Sequence, residues 1–392
     1  MSATRSYEPS AELAVDFVGL RLRTPVIAGS AGITGTVEGM KRSEDAGAGA
    51  IVMKSLFAKE VCRVAPTPRF RVLRQASGRE RSFALYSYEQ ASEWGPDRYA
   101  EEVRRAKEAL AIPIIPSINC LTPEQWLDYS ALMEEAGADA VELNLSCPHG
   151  PHLMEGHDVT REMIEMTRLV KSARSIPVIP KMTPQLNNPP GVAVALERAG
   201  ADAIVAFNRF TGLDIDIETE RPVMHGGYAG HGGPWSLYYT LRWLTAIYPA
   251  VTVPLSMSGG LATWQDVVKS ILAGATVTQT VTAVVMRGYG EITRFNEGLA
   301  RWMGEKGHTG ISDFRGAVCS RIVPMEEVFR DHVLRATIAP AECTACGLCE
   351  RVCIYDAAVE SDGAYAVLAE RCDGCGLCVE VCPVGAISMV NR

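Results

Sequence analysis

Twelve cysteines occur in the 392 residues, and eight of them fall between Cys343 and Cys382. They read Cys343-x2-Cys346-x2-Cys349-x3-Cys353, then Cys372-x2-Cys375-x2-Cys378-x3-Cys382-Pro383. Soft thiolates on tight, glycine-containing turns suit iron and inorganic sulfide. In duplications of this spacing the fourth cysteine of each run ligates the other cluster. Cys343, Cys346, Cys349 and Cys382 would therefore hold one 4Fe–4S cluster, and Cys372, Cys375, Cys378 and Cys353 a second. Ile354 follows Cys353 where proline is usual, which removes no ligand. Structural zinc is the alternative, but zinc sites rarely use four cysteines packed this closely, twice. A disulfide framework needs a short exported chain. The polar start Met1–Glu12 has no apolar signal core, so a reducing, cytoplasmic setting is expected.

Iron–sulfur clusters pass electrons singly, whereas most organic substrates exchange them in pairs. A flavin converts one into the other. The rest of the chain supplies a place for it. Short apolar runs begin alternately with proline (Pro25, Pro113, Pro177, Pro254) and with Gly-Ala (Gly47, Gly137, Gly200, Gly274), giving eight starts. Glycine ends the preceding helix, and proline at a strand's first residue costs no ladder bond. Eight evenly spaced strands, mostly followed by helical stretches, predict a (β/α)8 TIM barrel in preference to an open doubly wound sheet. Residues 1–310 would form the barrel, 311–340 a connector, and 341–392 a small bacterial-type ferredoxin domain with two 4Fe–4S clusters. The strand ends carry Ser30, Lys54, Asn119, Asn144, Lys181, Asn208, Ser258 and Thr282, all expected on the rim where this fold keeps its active sites. Ser256–Leu261 closes the seventh strand with Ser258, Gly259 and Gly260, and Thr280–Thr282 closes the eighth. Loops at those two positions commonly cradle phosphate.

Net charge is −8 and the isoelectric point about 5.5, which argues against nucleic-acid binding. No apolar run approaches the ~18 residues of a membrane span. The tail from Ala341 has eight acidic against three basic residues. An acidic face there would steer a basic electron-transfer partner, or simply keep the tail soluble.

The string Glu142-Leu143-Asn144-Leu145-Ser146-Cys147-Pro148-His149-Gly150 resembles the catalytic loop of the dihydroorotate and dihydropyrimidine dehydrogenases. The resemblance runs from about Leu13 to Val390. The fused tail makes the chain similar to dihydropyrimidine dehydrogenases of the bacterial NAD-linked catalytic-subunit type, within the dihydroorotate dehydrogenase-like FMN barrels. It implies FMN over the barrel mouth, with Ala28, Gly29 and Ser30 beside the isoalloxazine ring. Lys54 and Lys181 would lie near its pyrimidine end, Asn119 and Asn144 would bond ring or ribityl groups, and Ser258, Gly259, Gly260 and Thr282 would hold the phosphate. Asn144, Ser146, Asn208 and Arg209 would meet the substrate, and Cys147 would be the acid/base opposite the hydride. Uracil or thymine would pass to the 5,6-dihydro form, and dihydroorotate, a related ring or an unsaturated carbonyl compound stand as alternatives. So does an electron-relay subunit whose barrel is a scaffold. No Gly-x-Gly-x-x-Gly follows a strand, so a partner is expected: a flavoprotein NAD(P)H reductase subunit, or ferredoxin, in a homo- or hetero-oligomer. Arg209 stands where a small hydroxyl residue is usual. Residues 84–94 and 225–235 also depart from the family, and the Gly226–Gly233 loop with His225 and His231 reads as a lid or as a long exposed loop.

Overall fold

The computed structural model describes residues 10–58, 67–77, 80–88, 92–145, 158–223, 225, 228–328 and 334–391. The chain divides into two compact units, residues 1–73 with 83–321, and residues 74–82 with 322–392.

The first unit is a barrel. Its strands are β1 (Val26–Ala28), β2 (Ile51–Val52), β3 (Ile114–Ile115, continued as Ser117–Asn119), β4 (Val141–Leu143), β5 (Val178–Pro180), β6 (Ile204–Ala206), β7 (Leu255–Ser258) and β8 (Val277–Thr280). Parallel pairing runs from β1 through β5. It resumes from β6 through β8 and returns to β1, and a parallel bridge between Lys181 and Val205 joins β5 to β6. The circuit of eight closes, as the alternating repeat predicts.

The repeat has a physical basis. Pro25, Pro113, Pro177 and Pro254 cannot donate, but each carbonyl accepts a neighbouring strand's N–H: Thr278, Ile51, Val141 and Ile204 in turn, at 2.8 to 3.1 Å. Gly47, Gly137, Gly200 and Gly274 all take positive φ and release the chain from its helix. In the Gly-Ala-Asp versions the aspartate ties the turn to its neighbours. Asp139 accepts from Ile114 N and pairs with Lys107, and Asp202 accepts from Val178 N and pairs with Lys171. The strands are buried on both faces, as parallel strands under helices are.

Helices α1 (Val37–Asp45), α2 (Pro96–Ala109), α3 (Pro123–Glu135), α4 (Val159–Ala173), α5 (Pro189–Arg198), α6 (Ser236–Ile247), α7 (Trp264–Leu272) and α8 (Gly290–Lys306) follow the strands in turn. Thr36, Thr122, Asp158 and Asn188 cap the starts of α1, α3, α4 and α5 by accepting from a backbone N–H three residues on. The chain past α8 stays with the barrel: Ile311 and Phe314 are buried, and Val318 N bonds Leu272 O. An antiparallel sheet made of insertions joins Phe210–Gly212, Ala229–Gly232, Glu80–Ser87 and Phe70–Ser77 in that order.

The second unit pairs Leu334–Ile338 with Ile387–Asn391 and folds Ala358–Ser361 back on Ala364–Val367. Two short helices, Leu348–Val352 and Leu377–Val381, each follow a glycine of positive φ, Gly347 and Gly376, at matching places in the two cysteine runs. No helix of the described residues is long and apolar enough to cross a membrane.

Candidate active site and cluster sites

The strand ends and the inserted sheet enclose one pocket of ≈ 1220 Å³, open solvent at its mouth included. Ser30, Lys54, Asn144, Lys181, Asn208, Arg209, Ser258, Gly259, Gly260 and Thr282 all line it. Ala28 and Gly29 are not among the described lining residues. Ala28 is fully buried in β1, and a Cβ on Gly29 would meet Val281 at 2.8 Å, so glycine there lets β1 approach the end of β8. Asn119 is buried behind the wall, where Nδ2 donates to the Asn144 carbonyl at 2.6 Å. Ser146 and Cys147 lie outside the described residues, immediately after Asn144 and Leu145.

Polar side chains inside the barrel form one connected network. Asn208 Nδ2 donates to Asn144 Oδ1 at 2.8 Å, and Asn144 Nδ2 donates to Ser55 Oγ at 3.1 Å. Ser55 Oγ is 2.8 Å from Ser117 Oγ and 3.0 Å from Ser30 Oγ. Ser117 Oγ donates to Glu142 Oε1 at 3.0 Å, and Lys181 Nζ lies 3.4 Å from the same oxygen. Gln279 closes the far side by accepting from Lys181 Nζ at 3.0 Å and donating to Glu142 Oε2 at 2.8 Å. Tyr99 donates to the Lys54 carbonyl at 2.8 Å, and burial pushes its hydroxyl pKa up. The rim reading missed Ser55, Ser117, Glu142 and Gln279. A signal existed, because a charged residue in the buried strand Val141-Glu142-Leu143 needs an internal partner, and period-two alternation puts Glu142 on the face of Asn144.

After β7, Gly259 and Gly260 take φ of +101° and +80°. A Cβ at Gly260 would fall 2.3 Å from Leu237 N, so glycine brings this turn onto the start of α6, whose Ser236 and Thr240 also line the pocket. Among the described residues the buried hydroxyls of Ser256 and Thr280 have no partner. Cations and amides, together with glycines and hydroxyls on the same pocket wall, suit the ring and phosphate of FMN.

The inserted sheet supplies an aromatic side. The His231 ring lies tilted against Tyr86 at 4.6 Å and against Trp235 at 4.8 Å, and burial lowers its pKa. Arg209 packs over Gly230, where a Cβ would strike its guanidinium. Among the described residues no carboxylate pairs with it. Ala229–Gly232 is an inner strand of this sheet, whereas His225 is exposed and bonds Pro68 O.

In the second unit Cys343, Cys346, Cys349 and Cys382 line one hollow, and Cys353, Cys372, Cys375 and Cys378 another. The hollows span ≈ 310 and ≈ 370 Å³, open solvent included. Zinc would need four sulfurs at about 2.3 Å from one point. Among the described residues no cysteine group converges on a single-ion site. Backbone N–H groups of Ala345, Ala357, Ala386 and Ala336 point at Cys343, Cys353, Cys382 and Cys372 sulfurs at 3.3 to 3.4 Å. Such donors favour the thiolate. Burial alone would raise the Cys353 pKa, but the N–H groups of Ala357, Tyr355 and Ala358 outweigh it and hold the thiol below its ordinary value. This donor set fits two 4Fe–4S clusters.

Comparison with known proteins agrees. The dihydroorotate dehydrogenase family model matches residues 12–303, and the 4Fe-4S dicluster domain model matches residues 336–389. The chain is similar to the dihydroorotate dehydrogenase B (NAD(+)) catalytic subunit of Pyrococcus abyssi, 32% identical over 78% of this chain and 98% of that protein. It is also similar to the NAD-dependent dihydropyrimidine dehydrogenase subunit PreA of Escherichia coli K12, 29% identical over 88% of this chain and 86% of that protein. The chain belongs to the dihydroorotate dehydrogenase family, as an FMN and iron–sulfur oxidoreductase acting on CH–CH bonds, with a 4Fe–4S dicluster domain following its barrel.

Proposed function

We propose that this chain interconverts a cyclic ureide of the uracil or thymine type and its 5,6-dihydro form. The observation that carries the reading is the linked amide pair Asn208–Asn144 on the pocket wall. Among the described residues Asn144 spends one amide N–H on Ser55 and one carbonyl lone pair on Asn208, and a cyclic ureide offers acceptors and donors that match the others. The similarity to the dihydropyrimidine dehydrogenase subunit across both units supports the same choice.

In this reading Ser258, Gly259, Gly260 and Thr282 would hold the FMN phosphate, Ser30 and Asn144 would border the ring, and Asn119 supports Asn144 from behind. Lys54 and Lys181 would face the ring with positive charge, which favours its reduced form. FMN, when bound, supplies hydride transfer, and the two clusters supply single-electron transfer. Asn144, Ser146, Asn208 and Arg209 orient the substrate. Cys147 moves the proton on the substrate face opposite the hydride, and the apolar Phe57, Leu85 and Phe210 help exclude water from that step. The electron partner is a flavoprotein NAD(P)H reductase subunit, with free ferredoxin the alternative, in the cytoplasm.

A second reading is favoured by Arg209, a guanidinium on the pocket wall that suits a carboxylate-bearing ring such as dihydroorotate. An anaerobic spectral titration of the flavin with dihydrouracil, dihydrothymine and dihydroorotate separates the two. Bleaching by the first two supports the proposal, whereas bleaching by dihydroorotate alone transfers the assignment to the second reading. Iron without flavin after reconstitution would make the chain a relay.

A further inference from the structure

Lysine carries its charge on a flexible four-carbon stem, so an ammonium that must face one edge of a cofactor needs anchoring. Glu142 and Gln279 anchor the side chain of Lys181 inside the barrel, and all three are buried. Gln279 works in both directions. Its carbonyl accepts from Lys181 and its amide donates to Glu142, so the two partners together dictate which way the amide faces. Ser117 donates to the same carboxylate from the other side. Lys181 and Gln279 line the pocket, whereas Glu142 does not, which sets the carboxylate behind the ammonium as seen from the ligand.

We propose that Gln279 is a positioning residue that holds the Lys181 ammonium toward the flavin, that Glu142 anchors it from behind, and that the two together set the flavin's oxidation–reduction balance. This rests on the reading that FMN meets Lys181. Gln279 keeps the ammonium at the pocket wall instead of letting it fall back onto the carboxylate. Glu142 subtracts part of its field, because a negative charge just behind a positive one weakens what the ring meets. The reduced flavin is the more negative form, so the two residues act on the balance with opposite sign.

The test is an anaerobic reductive titration of the full-length, reconstituted protein against a reference dye, with flavin content measured on every sample. Glu142→Gln removes the charge and keeps an acceptor for Lys181 and Ser117, while giving up the bond from Gln279, whose amide NH2 then faces another. It is expected to favour reduced flavin by roughly tenfold, about 30 mV for a two-electron couple. Gln279→Met removes both bonds without altering charge and is expected to shift the balance the other way. Lys181→Met reports on the underlying reading and is expected to favour oxidised flavin. If Lys181→Met shifts the balance while Glu142→Gln and Gln279→Met hold FMN at the wild-type balance, the positioning role is wrong and the flavin reading stands. If Lys181→Met leaves the balance unmoved, Lys181 does not meet the flavin and both fall. Should Glu142→Gln fail to fold, the direction of the Gln279→Met shift decides alone.

Discussion

The barrel and the tail solve the problem of stability by different means. The barrel's core draws on every strand and helix, with large buried side chains such as Trp126, Phe207 and Phe295. In the described tail the core is nine buried side chains, three of them cysteines, Cys349, Cys372 and Cys382, and four of them alanines. Domains this small rarely bury enough apolar surface to fold unaided and lean on metal or disulfide staples. The barrel can therefore keep its shape with a polar network inside its mouth, whereas the tail owes its shape to what its thiolates hold.

The largest expected effect follows from that contrast. Chelating the iron should abolish the tail's fold while the barrel keeps its own thermal transition and its flavin. Limited proteolysis would then trim the chain back toward residue 321, and a tail that stays protease-resistant without iron would break the contrast. Next comes Cys147→Ala, which places the chemistry in the barrel alone. Turnover should fall about 10²–10⁴-fold, the usual contribution of a positioned acid/base, with iron and flavin contents unchanged. Wild-type turnover under chemistry-limited conditions would pass the proton role to His149 or Ser146. Gly260→Ala should weaken FMN binding by roughly tenfold or more, about 1.4 kcal/mol, because its Cβ meets Leu237 N and its φ is positive. Equilibrium dialysis would measure this, and the cluster signals should not change.

The smallest effect tests the barrel's base. Glu197 accepts from the Thr252 hydroxyl and from the N–H groups of Thr252 and Val253, which hold its carboxyl below the ordinary value. Glu134 does the same with Ser175 and Ile176, whose donors outweigh burial. A depressed carboxyl stabilises the fold above its unfolded pKa of about 4.3, and that contribution is lost as pH falls below it. Glu197→Gln should cost on the order of 1 kcal/mol at pH 7 and lessen the loss of stability in acid, read by denaturant melts at pH 7 and pH 4. Equal losses in variant and wild type would remove Glu197 from the account.

The two regions also differ in how far their sequences could be read. The tail's ligands sit a few residues apart on glycine turns, and the pattern of such duplications assigns Cys382 to the first run and Cys353 to the second, the grouping that the two hollows also show. The barrel's strands were legible because proline and Gly-Ala recur at each start, and the rim residues because they end those strands. The Glu142–Gln279–Lys181 contact was not legible, since its members lie on β4, β8 and just past β5, and only closure of the barrel brings them together. The sheet that places His231 beside Tyr86 was hidden for the same reason, as it pairs segments more than 140 residues apart.

One measurement bears most directly on the claim that barrel chemistry and tail clusters work as one oxidoreductase. Protein whose flavin and clusters have been fully reduced is freed of excess reductant and mixed anaerobically with uracil or thymine, and the product is counted by mass. FMN stores two electrons and each cluster one, so the account expects up to about two dihydropyrimidines per chain. No dihydropyrimidine with a flavin that stays reduced, or a yield that stops at one per chain with the clusters still reduced, would contradict it.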